Sequence, residues 1–133
     1  MTDSLEGKNL AKYIIEKRRY FHENPELSFQ EYRTLKYIRE ELESMGLHVT
    51  EVPKGGLFAD IQGRLPGNSV AVRADIDALP VTEETEVPFV SKNKGVMHAC
   101  GHDAHMAMLL GLVRMAITQK DTLHGKIRIL FQQ

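Results

Sequence analysis

The sequence predicts an α/β fold, a mixed β-sheet flanked by helices. Three observations carry this prediction. Two segments near the N-terminus repeat apolar residues at helical spacing. Three later segments have the alternating or apolar pattern of strands. A further helix and strand follow them.

Residues 4–23 read as the first helix. Leu10, Tyr13, Ile14, Tyr20 and Phe21 fall near helical spacing, and Asn24-Pro25 ends the run because a residue before proline disfavours helix. Ser28 followed by Glu31 has the form of a capping box, which predicts a helix start there. Tyr32, Leu35, Ile38, Leu42 and Met45 then recur at intervals of three and four, and Gly46 stands where a helix-ending glycine belongs. "LHVTEV" (47–52) alternates as a strand, and "LFADIQG" (57–63) is a second, joined through Lys54-Gly55-Gly56. "PGN" (66–68) reads as a turn and "SVAVRADID" (69–77) as a third, more buried strand. Residues 82–95 are polar and irregular. Helical spacing returns from about His102 to Ile117 through Met106, Leu109, Leu110 and Val113. "KIRILFQQ" (126–133) closes as a strand. A domain rarely stops inside a core strand, so the chain is expected to be the front part of something longer.

Composition narrows the function. An apolar share of 42% suffices for a packed core, and 133 residues suit one domain. The net charge of −1 gives no electrostatic footprint for nucleic acid or a membrane surface. The apolar run "MAMLLGLV" (106–113) is too short to span a bilayer. "MTDSLEGKNL" lacks the basic and apolar regions of a signal peptide, so a cytoplasmic setting is expected. The one cysteine, Cys100, is then a free thiol or a ligand.

The chemistry concentrates in "GVMHACGHDAH" (95–105), which holds that cysteine and three of the six histidines. If residues 98–102 are extended, His98, Cys100 and His102 share one face. Thiolate and imidazole are good ligands for zinc-like ions. With a helix beginning near His102, His105 becomes its neighbour three positions on. Two readings compete with the metal site. Cys100 at a helix N-terminus has the setting of an activated nucleophile. A buried cysteine among capping polar residues is the structural one. In "AVRADIDALPV" (71–81), Arg73, Asp75 and Asp77 alternate at a strand end, where ligands gather in open sheets and where ion pairs also form. In "RRYFHENPELSFQEYRT" (18–34), His22 stands among Glu23, Glu26 and Glu31, and a helix end, turn and capped helix start account for it.

Together these three stretches resemble the N-acyl amino acid amidohydrolases, the branch of the carboxypeptidase G-like metallopeptidases that includes aminoacylases, hippurate hydrolase and the plant auxin-conjugate hydrolases. They stand in the family's order and at similar separations. "MHACGHDAH" is the most specific part, and "HGKIRILFQQ" resembles the strand leading to the family's "PAEE" segment. The resemblance implies a zinc-peptidase-like (phosphorylase/hydrolase-like) catalytic domain, of which residues 1–133 are the N-terminal part. It implies Cys100 and His102 as ligands of a divalent metal, zinc or manganese with cobalt or nickel as alternatives, two ions per complete site. Related two-metal peptidases carry His-x-Asp where this chain has Arg73 and Asp75; Asp75 takes the catalytic expectation, with Asp77 the competing choice. Asp103, His105 and Arg73 are expected beside the ligands, steadying them.

The implied reaction is hydrolysis of the amide bond of a small-molecule N-acyl amino acid, by a homodimer or larger assembly. The chain stops at Gln133, before the glutamate pair, later histidines and dimerisation domain of the family. It is therefore expected to have little activity by itself. A non-catalytic product with weak or no metal binding, and a thiol hydrolase using Cys100, are the alternatives.

Overall fold

The computed structural model describes residues 5–133. The expected helix start at Ser4 lies outside the described residues. Seven elements follow one another: α1 (Leu5–Glu23), α2 (Tyr32–Ser44), β1 (Val49–Val52), β2 (Gly56–Gln62), β3 (Leu65–Asp75), α3 (His102–Thr118) and β4 (His124–Gln132). The sheet order is β1-β2-β4-β3. β1 and β4 each pair antiparallel with β2, whereas β3 runs parallel to β4. This is the expected mixed sheet, with α3 as the crossover between its parallel strands.

Directly paired residues share a face of the sheet. The pairs Val49↔Ala59, Ala59↔Ile129, Leu57↔Phe131 and Ala74↔Phe131 therefore define one apolar face, and these six residues are buried. Tyr13 and Phe21 of α1, Ile38 and Leu42 of α2, and Met106, Leu110 and Val113 of α3 fill the same core. The opposite face is polar: Asp60 accepts from Arg128 at 2.7 Å, and the Arg128 guanidinium lies 4.4 Å from the Phe58 ring.

Two local expectations are corrected. No capping box forms at Ser28 and Glu31: Glu31 is the N-cap residue but makes no side-chain cap bond, and its side chain is fully buried. Glu26 replaces it. Phe29 turns the chain with φ 60°, so that Glu26 accepts from the backbone N–H of Arg33 at 3.2 Å and of Thr34 at 2.8 Å. At the other end of α2 the expected glycine cap is present, with Gly46 N–H bonded to Glu43 O and Leu47 N–H to Leu42 O.

The second correction concerns residues 65–75. Pro66-Gly67-Asn68 is not a turn between neighbouring strands but a register shift within β3, between Leu65 and Ser69. Nor is β3 deeply buried. It is the outer strand beyond β4, and Val70 and Val72 remain 56% and 36% exposed. Only at Ala74, and at Ile76 just beyond its end, does the chain enter the core. That places its carboxyl end beside the start of α3.

Candidate functional site

The site forms where the chain leaves β3, crosses a long irregular segment and enters α3. Leu79 and Met97 exchange backbone hydrogen bonds at 2.9 and 3.0 Å, which closes that segment into a loop. Lys92 N–H bonds Glu23 O at 2.8 Å and Asn93 Nδ2 donates to Pro25 O at 3.1 Å, tying the loop to the end of α1. The stretch 98–102 is thus delivered to the sheet's carboxyl edge by anchors on both sides.

Gly101 is the N-cap of α3 with φ 131°, a conformation that strains any residue bearing a Cβ. It separates an exposed Cys100 from His102, the first residue of the helix. His102 Nδ1 lies 2.9 Å from the Asp77 carbonyl and 3.1 Å from Asp77 Oδ1. Both are acceptors, so Nδ1 carries a hydrogen, and in the neutral ring the lone pair is on Nε2. This is the arrangement of a metal-ligating histidine, whose second nitrogen donates to a carbonyl or carboxylate. His105 is exposed, its ring centroid 6.3 Å from that of His102. Asp75 lies elsewhere: it accepts from Arg73 Nε and Nη2 at 2.9 and 2.7 Å in an exposed ion pair.

Beneath the loop is a buried charged network. Asp103 Oδ2 lies 2.7 Å from His22 Nδ1 and forms an ion pair with Arg18 Nε at 3.0 Å, and Oδ1 accepts from Ala104 N–H at 2.9 Å. His22 Nε2 meets Glu83 Oε1 at 2.9 Å, and Glu83 Oε2 accepts from Ser91 N–H at 2.6 Å. Both nitrogens of His22 thus face carboxylates. Burial pushes the Glu83 carboxyl up, but the Thr85 hydroxyl, the Ser91 amide and His22 more than reverse this and bring it down to about 2. The bland reading of residues 18–34 missed this arrangement because the partners of His22 lie 61 and 81 positions away. The one sequence signal was a histidine near a helix end with no local partner.

Two further groups are buried nearby. Glu31 accepts from Gln133 Nε2 at 2.9 Å and leaves Oε1 without a partner; burial pushes its carboxyl up, Gln133 opposes this, and the charge of Asp77 adds to it. Among the described residues His98 has no partner on either ring nitrogen, and burial brings its imidazole down to about 4.

The donor set decides how far a divalent metal fits. An exposed thiol and an imidazole with its lone pair free, at one chain corner, suit zinc-like ions. Among the described residues no group of three or more His, Cys, Asp or Glu gathers with the geometry to hold a metal. Cys100 and His102 fit as two ligands of a larger set.

Fold and site together define an α/β domain with a mixed sheet and a Cys-Gly-His corner at the start of α3. Residues 71–133 match the model of peptidase family M20/M25/M40. The chain is 50% identical over 128 residues to thermostable carboxypeptidase 2 of Saccharolobus solfataricus, a match covering 94% of this chain and 32% of that protein. It is 49% identical over 120 residues to the N-acyl-L-amino acid amidohydrolase of Geobacillus stearothermophilus, covering 90% and 32%. It superposes with TM-score 0.87 and 45% identity on a dinuclear metal binding peptidase of the M20 family from Bacillus subtilis, over 93% of this chain and 35% of that one. By sequence and by fold the chain is similar to the M20 peptidases, and it spans about a third of the length of the curated relatives it matches.

Proposed function

We propose that this chain forms the N-terminal part of the catalytic domain of a metal-dependent amidohydrolase that cleaves N-acyl amino acids. The observation that carries the reading is the pairing of Cys100 with an imidazole already anchored through Nδ1 on Asp77. The carboxypeptidase and amidohydrolase names of its relatives share amide-bond cleavage, which agrees with it.

In this reading Cys100 and His102 hold a divalent ion, zinc or manganese, with two ions in the complete site. Such an ion acidifies water and polarises an amide carbonyl. The chain's own residues position and orient. Asp77 fixes the plane and tautomer of His102, a role that falls to Asp77 rather than Asp75 because Asp75 is engaged with Arg73. Asp103 pins the start of α3 to α1 through His22 and Arg18. Of the carboxylates at the site, Asp103 and Glu83 accept from several donors each, Glu31 is buried, and Asp77 is turned to His102. The chain by itself therefore has little activity. Its setting is a reducing cytosol in which Cys100 stays a thiol. No helix of the described residues is long and apolar enough to cross a membrane.

Cobalt substitution tests the ligands without requiring turnover. Addition of Co²⁺ to the 133-residue chain produces a thiolate-to-cobalt absorption band, and Cys100→Ser removes it. A band unchanged in Cys100→Ser overturns the ligand assignment. Hydrolysis of N-acetyl- or N-benzoyl-amino acids by the purified chain with zinc, manganese or cobalt, at the rate of a complete family enzyme, overturns the claim of low activity.

A further inference from the structure

Cys100 and Gly101 have little packing to hold them in place. Cys100 is exposed, and a Cβ added at Gly101 would meet no atom within 4 Å. Polar anchors on the next two residues therefore set where this corner lies. His102 is held by Asp77. Asp103 is 1% exposed, and its carboxylate reaches in two directions. Oδ1 accepts from Ala104 N–H at 2.9 Å, inside the first turn of α3, and Oδ2 lies 2.7 Å from His22 Nδ1.

The contacts continue beyond His22 into the loop between β3 and α3. His22 Nε2 lies 2.9 Å from Glu83 Oε1, and the other Glu83 oxygen accepts from Ser91 N–H at 2.6 Å. One chain of polar contacts thus runs from Ser91 through Glu83, His22 and Asp103 to Ala104. Its three side chains are 5%, 4% and 1% exposed. Water cannot replace a partner lost at that depth, so a displacement at one link is passed to the next or leaves a buried group unsatisfied. A second route joins the same ends: the Arg18 guanidinium lies 5.1 Å from the Phe89 ring of the loop, and its Nε is 3.0 Å from Asp103.

We propose that the loop segment 82–91 positions the Cys100–His102 corner, with Glu83 as the positioning residue acting through His22 and Asp103. The seating of the loop on α1 and the placement of the first turn of α3 then form one coupled equilibrium. The inference rests on the metal reading only for what the corner holds; the coupling belongs to the metal-free chain.

The test is amide hydrogen exchange by NMR in the 133-residue chain with chelator present. Glu83→Ala is expected to lower the protection of Ala104, which does not touch Glu83, by roughly 2–30-fold beyond any loss at Ile129 in the core of β4. A merely structural role would lower both alike. Lys92→Ala removes a different tie of the loop, the ion pair with Glu23, and should leave Ala104 and Ile129 in step. In a His22→Phe background, Glu83→Ala should change Ala104 no further. Glu83→Gln, which keeps the volume of the side chain, decides the matter if Glu83→Ala does not fold. Ala104 moving only with Ile129 in a folded Glu83 variant, or loosening as much in Lys92→Ala, overturns the proposal. The cobalt band of the chain supplies a second readout. Glu83→Ala should weaken cobalt binding roughly 2–30-fold, and cobalt should in turn slow exchange of the Ser91 amide, because coupling is reciprocal. Equal cobalt affinity in wild type and Glu83→Ala also overturns the coupling, whereas an Ala104 response in a chain that binds no cobalt upholds the coupling and refutes the metal reading alone.

Discussion

At the scale of single residues, the two aspartates that end β3 illustrate what position does to identical chemistry. Asp75 is still in the strand, beside Arg73, and forms an exposed ion pair with it. Two residues on, Asp77 has left the strand and reaches His102. Asp77→Ala is therefore expected to lower metal affinity by roughly 10–100-fold, the usual effect of removing the group that orients a ligating histidine. Asp75→Ala should leave it within about twofold, since exposed ion pairs contribute little. Competition with a chromophoric chelator measures both, and equal losses would contradict the distinction. The spacing of "RADID" put both aspartates in view but could not separate them, because the strand's end is set by pairing with β4, whose Gln132 is the last partner of Asp75. Asp103 makes the complementary case. It is 1% exposed and faces both His22 and Arg18. Asp103→Ala leaves the buried His22 without this acceptor and should destabilise the chain by roughly 3–5 kcal/mol. Urea unfolding is the measurement, and a loss below about 1 kcal/mol, the level of an exposed pair, would mean that the network is not a structural anchor.

Among elements, α1 and α3 pack closely at Gly111. A Cβ at Gly111 would stand 2.6 Å from Ile14 Cδ1 and Cγ1. Gly111→Ala pits a helix-propensity gain of about 1 kcal/mol against displacement of the mobile end of Ile14, so a small net change is expected. Gly111→Val adds bulk that Ile14 cannot yield to and should cost about 1–3 kcal/mol. Thermal unfolding of the pair checks the order, and a Val variant as stable as wild type would show that the helices separate freely. All three helices, and the strand segments, were legible in the sequence because apolar periodicity reports which side of an element is buried. It does not report which element lies alongside. Val70 and Val72 have the pattern of core residues, yet β4 comes between β3 and β2 and leaves them at the sheet's edge. Glu26 could not be foreseen as the cap of α2, since that depends on the turn at Phe29. The candidate ligands were legible because Cys100, Gly101 and His102 are adjacent in sequence; the network beneath them joins three distant segments and was not.

For the whole molecule, two buried carboxyl groups act on stability in opposite directions as pH changes. Glu83 has its folded pKa lowered from 4.5 to about 2, so the unfolded chain takes up protons first on acidification. Its contribution is complete above 4.5 and is lost as pH falls from there towards 2. Glu31 has its folded pKa raised above 4.5, so its favourable contribution is present below that value and disappears as pH rises through the raised pKa. At neutral pH the fold therefore gains from the ionised Glu83 and bears the burial of Glu31. Two variants separate the effects. Glu31→Gln keeps an amide in place of the carboxyl and is expected to raise the urea midpoint at neutral pH, with an advantage that shrinks on acidification towards 4.5. Glu83→Gln is expected to lower the midpoint at neutral pH, with a deficit that narrows as pH falls from 4.5 towards 2, where the wild-type carboxyl also becomes protonated. Urea midpoints across this range, in chelator so that metal linkage is absent, give both curves. If the Glu31→Gln advantage instead grew on acidification, the carboxyl would be stabilised in its charged form, and the assignment of Glu31 as a group that resists ionisation would fail.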